Sequence, residues 1–282
     1  MHVVTRPLEP NFACGGRLSV HGIPMGEDNL AWLLVCEQTR EAAIVDGPEA
    51  GAALEVAVRL GVRLTTIFNT HTHGDHIGVN RDLERRGRLA EFRVVGPASV
   101  APSVPGLTEP VDEGDGVSIG EVLGKVLRTD GHLDGHISFL FGDALFCGDT
   151  LFTGGCGYLF SGPPEKMFDS LMRLAALPGS TQVFCAHEYT QDNLRFAWSV
   201  EADNVALAER IARVDAMRAE GRATVPSTIA LERATNPFLR PGSPTLRRCV
   251  SEQLPDADLS SFTGVFSATR RLKDTKRYRA LP

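Results

Sequence analysis

The stretch THTHGDHIG, residues 70–78, places His71, His73, Asp75 and His76 within six positions, in a chain that has eight histidines in all. Imidazole nitrogens and carboxylate oxygens are donors that borderline divalent cations select, so the chemistry of this cluster is metal binding. Residues two apart on an extended segment point to the same side, and His71 and His73 follow the apolar run LTTIF; the pair can converge on one ion. Asp75 and His76 lie in the turn beyond, aimed differently, and suit a second ion nearby. A polar loop with chance histidines would account for Asp75 or for any single histidine, but not for the spacing of all four.

Further ligands have to come from other elements if the coordination sphere is to close. His132 in RTDGHLDGH, Asp149 in LFCGDTLF and His187 in VFCAHEYT each follow an apolar run at an expected strand terminus, where loops gather. His136, at the start of HISFLF, and Asp46, at the end of IVDG, read instead as hydrogen-bonding supports for ligands.

The elements that must position these groups alternate along the chain. AWLLVCEQ and EAAIVDG are expected strands, PEAGAALEVAVRLG a helix with Pro near its start and Gly at its end, and LTTIFNT a buried strand leading into the histidine loop. Residues 79–88 read as a short helix and FRVVG as a strand. The Pro- and Gly-rich span from Gly96 to Gly116 reads as loop and turn. EVLGKVLRT, HISFLFG and ALFCGDT are three further strands, PPEKMFDSLMRLAAL a helix and TQVFCAHE a last strand. After residue 188 the strands are expected to stop, with 190–220, 245–254 and 262–277 helical. The pattern is a mixed α/β domain over residues 1–188 followed by a small helical one over 189–282.

Composition narrows the classes. The 282 residues are 43% hydrophobic and 23% charged, ordinary for a folded globular protein, and the formal charge of −6 offers no general attraction to nucleic acid. MHVVTRPLEPNF lacks the apolar core of about 7–15 residues that a secretory signal needs, and LAWLLVC is far shorter than the roughly 18 residues of a membrane span. A cytoplasmic protein with no membrane partner is expected. The six cysteines are scattered without a CxxC pair and read as small buried hydrophobes.

HTHGDH resembles the HxHxDH signature of the metallo-β-lactamase superfamily, with His132, Asp149 and His187 falling where that family has its other ligands. LFCGDTLFTGGCGYLFSG, VFCAHEYTQDNLRFA, TVPSTIALERATNPFLR and RRLKD resemble the glyoxalase II, or hydroxyacylglutathione hydrolase, family over nearly the whole chain. The resemblance implies an αββα sandwich capped by C-terminal helices. It also implies two divalent metal ions (Zn, Fe or Mn): His71, His73 and His132 would hold one, Asp75, His76 and His187 the other, and Asp149 would bridge them. The activity implied is hydrolysis of a thioester, S-D-lactoylglutathione or a related hydroxyacylglutathione, by a hydroxide shared between the ions, with Asp75 also orienting that hydroxide. A thiolate of conjugate-acid pKa about 8.5 leaves without a strong general acid, which suits the sparse protein acid–base groups.

In substrate recognition the chain departs from the family pattern. Where relatives have a basic residue after GCG that meets the glycine carboxylate of glutathione, and an aromatic hydroxyl two positions on, this chain has Tyr158 and Phe160. Tyr189 matches the family's remaining tyrosine, and Arg270 and Lys273 its basic residues on the last helix, although composition alone would make RRLKDTKR a solvated face. A mononuclear-iron persulfide dioxygenase of the same fold would not need Asp75, His76 and His187 together. A tRNA-processing nuclease is opposed by the acidic charge balance, and a lactonase or β-lactamase leaves HEYT and RRLKD unexplained. A non-enzymatic metal-binding module would close its coordination shell and turn over no thioester.

Overall fold

The computed structural model describes residues 3–280. Its first sheet holds seven strands in chain order: β1 (Asn11–Ala13), β2 (Leu18–Met25), β3 (Asn29–Cys36), β4 (Glu41–Val45), β5 (Arg63–Phe68), β6 (Arg93–Pro97) and β7 (Glu109–Val111). The first four are antiparallel, and β4 to β7 run parallel. The second sheet is built from β8 (Gly116–Ile119), β9 (Val122–Arg128), β10 (Ile137–Phe141), β11 (Ala144–Gly148), β14 (Gln182–Cys185) and β15 (Ser227–Thr228), in the order β15-β14-β11-β10-β9-β8. A small hairpin, β12 (Leu151–Phe152) and β13 (Gly155–Cys156), stands apart from both.

Burial on both faces explains why β3, NLAWLLVC, is an unbroken apolar run. Leu30, Trp32, Leu34 and Cys36 face the core shared with the second sheet, whereas Ala31, Leu33 and Val35 face outward under helices α1 (Gly51–Leu60) and α2 (Gly78–Arg85). Aromatic rings fill the space between the sheets: Trp32 meets Phe184 edge-on at 5.0 Å, Phe184 stacks on Phe146, and Phe68 tilts against Phe139. Each such ring buries roughly 150–250 Å², so they supply much of the force that clamps the layers together. The Trp32 indole N–H also donates to the Cys185 carbonyl at 3.0 Å, joining the sheets close to the end of β14.

The remaining helices are α3 (Pro164–Ala175), α4 (Thr190–Val200), α5 (Val205–Ala219), α6 (Ile229–Thr235), α7 (Pro244–Gln253) and α8 (Phe262–Asp274). Val250, Val265 and Phe266 of these helices, with Phe238 from the turn between α6 and α7, belong to the same continuous core as Phe146 and Phe184. No described helix is long and apolar enough to cross a membrane.

Three expectations are corrected. Strands do not stop at residue 188, because β15 adds to β14 through Gln182–Thr228 and Val183–Ser227. The span 96–116 is not all loop: Glu109–Val111 forms β7, and its Pro110 is tolerated because the strand lies at the sheet edge. Residues 190–220 are two helices, since Glu201 leaves helical geometry and Asn204 caps a new helix by accepting from the Leu207 N–H at 3.1 Å.

Candidate metal centre

Each residue singled out for metal binding follows the carboxyl end of a strand: the 71–76 loop follows β5, His132 follows β9, Asp149 follows β11 and His187 follows β14. The structure gathers them into two adjoining clusters, His71, His73, His132 and Asp149 in one and Asp75, His76 and His187 in the other. In the first, His71 Nε2 and His132 Nε2 each lie 3.0 Å from His73 Nδ1, and His132 Nε2 lies 3.4 Å from Asp149 Oδ2. In the second, His76 Nε2 and His187 Nε2 lie 3.5 and 3.4 Å from Asp75 Oδ2, and the same distances from Asp149 Oδ1. The two oxygens of Asp149 therefore face one cluster each. Tetrahedral coordination at bond lengths of about 2.0–2.2 Å requires donor–donor edges of roughly 3.3–3.6 Å, which the carboxylate–imidazole distances of 3.4–3.5 Å match and the His–His distances of 3.0 Å approach.

The far sides of four of the five rings are fixed. Thr70 donates its hydroxyl to Asp46 Oδ2 at 2.7 Å, which leaves its oxygen to accept from His71 Nδ1 at 3.0 Å. His76 Nδ1 donates to Asp46 Oδ2 at 2.9 Å, His132 Nδ1 to the Tyr158 carbonyl at 2.8 Å, and His187 Nδ1 to Asp28 Oδ1 at 2.9 Å. With hydrogen on Nδ1, these four imidazoles turn the lone pair of Nε2 into the clusters. Among the described residues, His76 Nε2 and Asp149 Oδ1 are buried without a hydrogen-bond partner. Each such group costs on the order of 1–3 kcal/mol unless something satisfies it, and a cation between nitrogen and carboxylate does so. The donor set fits divalent metal ions.

Electrostatics agree with that fit. Burial holds His71 and His132 below the usual histidine range, in the neutral form that ligates. Burial would raise Asp149, but His76 and His187 outweigh it and keep the carboxyl well below its ordinary range. Burial likewise opposes charge on His76 and His187, yet Asp149, with Asp46 beside His76 and Asp28 beside His187, pulls both upward. Buried carboxylates thus demand positive charge at this spot, which either protons or metal cations supply.

His136 stands behind the clusters, its Nδ1 2.9 Å from Thr129 Oγ1 and its Nε2 accepting from the Asp149 N–H at 3.2 Å. Asp46 likewise serves as acceptor for Thr70 and His76. Backbone geometry brings Asp149 in close: Gly148 has φ +47°, and a Cβ there would collide with Thr70 Oγ1. A Cβ on Gly157 would collide with the Asp149 carbonyl and sit 2.9 Å from His132 Nδ1.

The residues expected to meet substrate are placed unequally. Tyr158 and Phe160 are 52% and 61% exposed, their rings 4.8 Å apart, and the Phe160 ring meets His73 and His132 edge-on at 5.2 and 5.3 Å. Tyr189 stacks on His187 with centroids 4.9 Å apart. Arg270 and Lys273 are buried, which corrects the solvated-face reading of RRLKDTKR for these two. Arg270 Nη1 donates to the Cys156 carbonyl at 3.2 Å and Nη2 pairs with Asp274 at 2.6 Å, while Lys273 donates to Asn193. Sequence reasoning missed Asp28, Asn29 and Thr70. An Asp-Asn pair opening a strand looks like ordinary turn chemistry, and only long-range pairing reveals its targets.

The comparisons with known proteins match this arrangement. The Metallo-beta-lactamase superfamily profile matches residues 26–187, and the profile for the hydroxyacylglutathione hydrolase C-terminus matches residues 188–276. The hydroxyacylglutathione hydrolase of Gloeobacter violaceus is 47% identical over 257 residues, covering 90% of this chain and 98% of the relative. The chain belongs to the hydroxyacylglutathione hydrolase family. That of Methylococcus capsulatus is 46% identical over 92% of this chain and 99% of its own. Among solved structures, ETHE1 from Myxococcus xanthus superposes with TM-score 0.59 at 26% identity, covering 90% of this chain and 98% of that one. TTHA1623 in a di-iron-bound form gives 0.54 at 25% identity, over 78% of this chain and all of that one. Family, fold and centre agree on a hydrolase of the metallo-β-lactamase fold with a His/Asp cluster suited to metal ions.

Proposed function

We propose that this chain hydrolyses a glutathione thioester of the hydroxyacyl class, S-D-lactoylglutathione or a close relative, with two divalent metal ions per chain. His71, His73 and His132 would hold one ion, Asp75, His76 and His187 the other, and Asp149 would bridge them. The observation that carries this reading is the division of Asp149, with Oδ2 3.4 Å from His132 and Oδ1 3.4–3.5 Å from His187 and His76. The di-iron form of TTHA1623 supports two ions; the donor chemistry accepts Zn, Fe or Mn.

Bound there, the ions activate water near neutral pH and polarise the thioester carbonyl. The chain's own residues do the rest. Asp75, whose side chain is 39% exposed, presents a carboxylate to arriving water and orients it toward the carbonyl. Tyr189, held above its usual range by burial and by Asp28, stays a neutral phenol against the His187 ring and borders the substrate. Arg270, joined by Lys273 when that side chain is protonated, supplies positive charge for the carboxylate of the thiol carrier, a contact of about 1.5–3 kcal/mol when charge-assisted. With Tyr158 and Phe160 in place of a cation and a hydroxyl, that carboxylate depends on α8 alone. Residues 1–188 form the catalytic part in this reading, and 189–282 the substrate-binding part.

The test is metal analysis paired with thioester hydrolysis on one preparation, comparing glutathione and coenzyme A thioesters. About two ions and turnover of the glutathione thioester are expected. A single iron with sulfur dioxygenase activity overturns the reading, and so does efficient cleavage restricted to coenzyme A thioesters.

A further inference from the structure

The turn between β2 and β3 reaches across to the end of β14. The Leu30 N–H donates to the Ala186 carbonyl at 2.7 Å, the Glu188 N–H donates to the Asp28 carbonyl at 2.9 Å, and Asn29 forms an isolated bridge with His187. This backbone clasp sets two side chains against the second cluster. Asp28 Oδ1 accepts from His187 Nδ1 at 2.9 Å, and Asn29 Nδ2 donates to Asp75 Oδ2 at 2.9 Å.

Asp75 and His187 differ from the other donors in how they are held. His71 and His76 are tied through Thr70 and Asp46, which lie in or beside their own sheet, and His132 is tied to a main-chain carbonyl. Asp75 and His187 face each other from different sheets, 3.4 Å apart, and the side chains that orient them come from one turn, 46 and 159 positions away in sequence. Asp75 has a side chain 39% exposed, against 9% for Asp149, so little packing holds it besides Asn29.

We propose that Asp28 and Asn29 are positioning residues that control occupancy of the second metal position, the one formed by Asp75, His76 and His187, while leaving the first unaffected. The proposal rests on the two-metal reading above. Asp28 fixes the His187 ring and directs its Nε2 inward; Asn29 holds Asp75 Oδ2 toward His76 and His187. Loss of such a partner weakens metal affinity by roughly 10–100-fold. Among the described residues, no hydrogen bond or ion pair joins the Asp28 and Asn29 side chains to His71, His73, His132 or Asp149, and His71 and His132 keep their own supports.

The experiment counts zinc ions per chain after dialysis into metal-free buffer for the wild type, Asp28→Ala, Asn29→Ala and Asp28→Asn, and titrates the lost ion back in. About two ions are expected in the wild type and one in each alanine variant, with the affinity for the second ion reduced roughly 10–100-fold. Asp28→Asn, whose amide oxygen still accepts from His187 Nδ1, should keep two. The clasp itself is made by main-chain atoms, so unchanged far-ultraviolet dichroism is expected throughout. Two tightly held ions in both alanine variants overturn the proposal, as does simultaneous loss of both ions. A wild type that holds a single ion overturns the two-metal reading together with it, which separates the two failures.

Discussion

Lys273 offers a stability test that no metal enters. Its ammonium is buried, donates to Asn193, and lies 5.7 and 5.9 Å from the ring centroids of Phe196 and Phe238, with no ion-pair partner among the described residues. Burial first, and then the neighbouring Arg270, push its pKa down to about 7 from an ordinary 10.5. A depression of that size corresponds to a cost on the order of 4–5 kcal/mol for holding the charged form in the folded state, at about 1.36 kcal/mol per unit. The sign follows from proton counting. Below pH 7 both folded and unfolded chains carry the proton and the full cost is present. Between 7 and 10.5 the unfolded chain binds more protons than the folded one, so stability rises with pH by at most about 1.4 kcal/mol per unit. Lys273→Met keeps the length and apolar stem but removes the titration; it leaves Asn193 Oδ1 without its donor, a penalty that does not vary with pH. Urea denaturation of both proteins at pH 7, 8 and 9 is the assay. The wild type should gain roughly 2 kcal/mol over the variant across that range. Parallel stability profiles would refute the buried-charge account of α8, and so would a variant that gains on the wild type as pH rises.

Two further outcomes concern metal and substrate. Asp149→Ala should lose the ions of both clusters, whereas His136→Ala, which removes a support rather than a donor, should keep most of its metal; equal loss by plasma emission analysis would show the two roles are wrongly sorted. Tyr158→Lys should lower KM for S-lactoylglutathione by up to about tenfold, roughly 1.4 kcal/mol, with a smaller change in kcat, and Arg270→Ala should raise it; an unchanged KM in Tyr158→Lys would argue for a carrier other than glutathione.

What could be read from the chain depended on how local the signal was. His71, His73, Asp75 and His76 are legible because one strand end and one turn bring them together, and His132, Asp149 and His187 because apolar runs mark the strands before them. Asp28 and Asn29 carry no such mark, since their partners lie in other elements. Arg270 and Lys273 were ambiguous for another reason: the charged run hides that both share one helix face with Phe266, so two cations occupy apolar-face positions. The strand β7 was masked by its proline, and β15 is two residues long, too short for any periodicity to register. The break between α4 and α5 has neither Pro nor Gly; it is made by Asn204 as a cap and by Glu201, which turns away to pair with Arg240.

The arrangement also explains how carrier recognition can change while the donors stay fixed. His71, His76, His132 and His187 are each oriented by a partner behind the ring, and Asp149 is brought in by Gly148, where a side chain would collide with Thr70. Alteration at these places would disturb the geometry of the donor set directly. Tyr158 is different: what it gives His132 is its main-chain carbonyl, 2.8 Å from Nδ1, and any residue at 158 supplies the same acceptor. Its side chain, half exposed and leaning on Phe160, is therefore free to vary between cation and aromatic ring without loosening a donor. Under the proposed function, position 158 serves the donor set through its backbone and would meet the substrate through its side chain, so the second could be rewritten while the first is preserved.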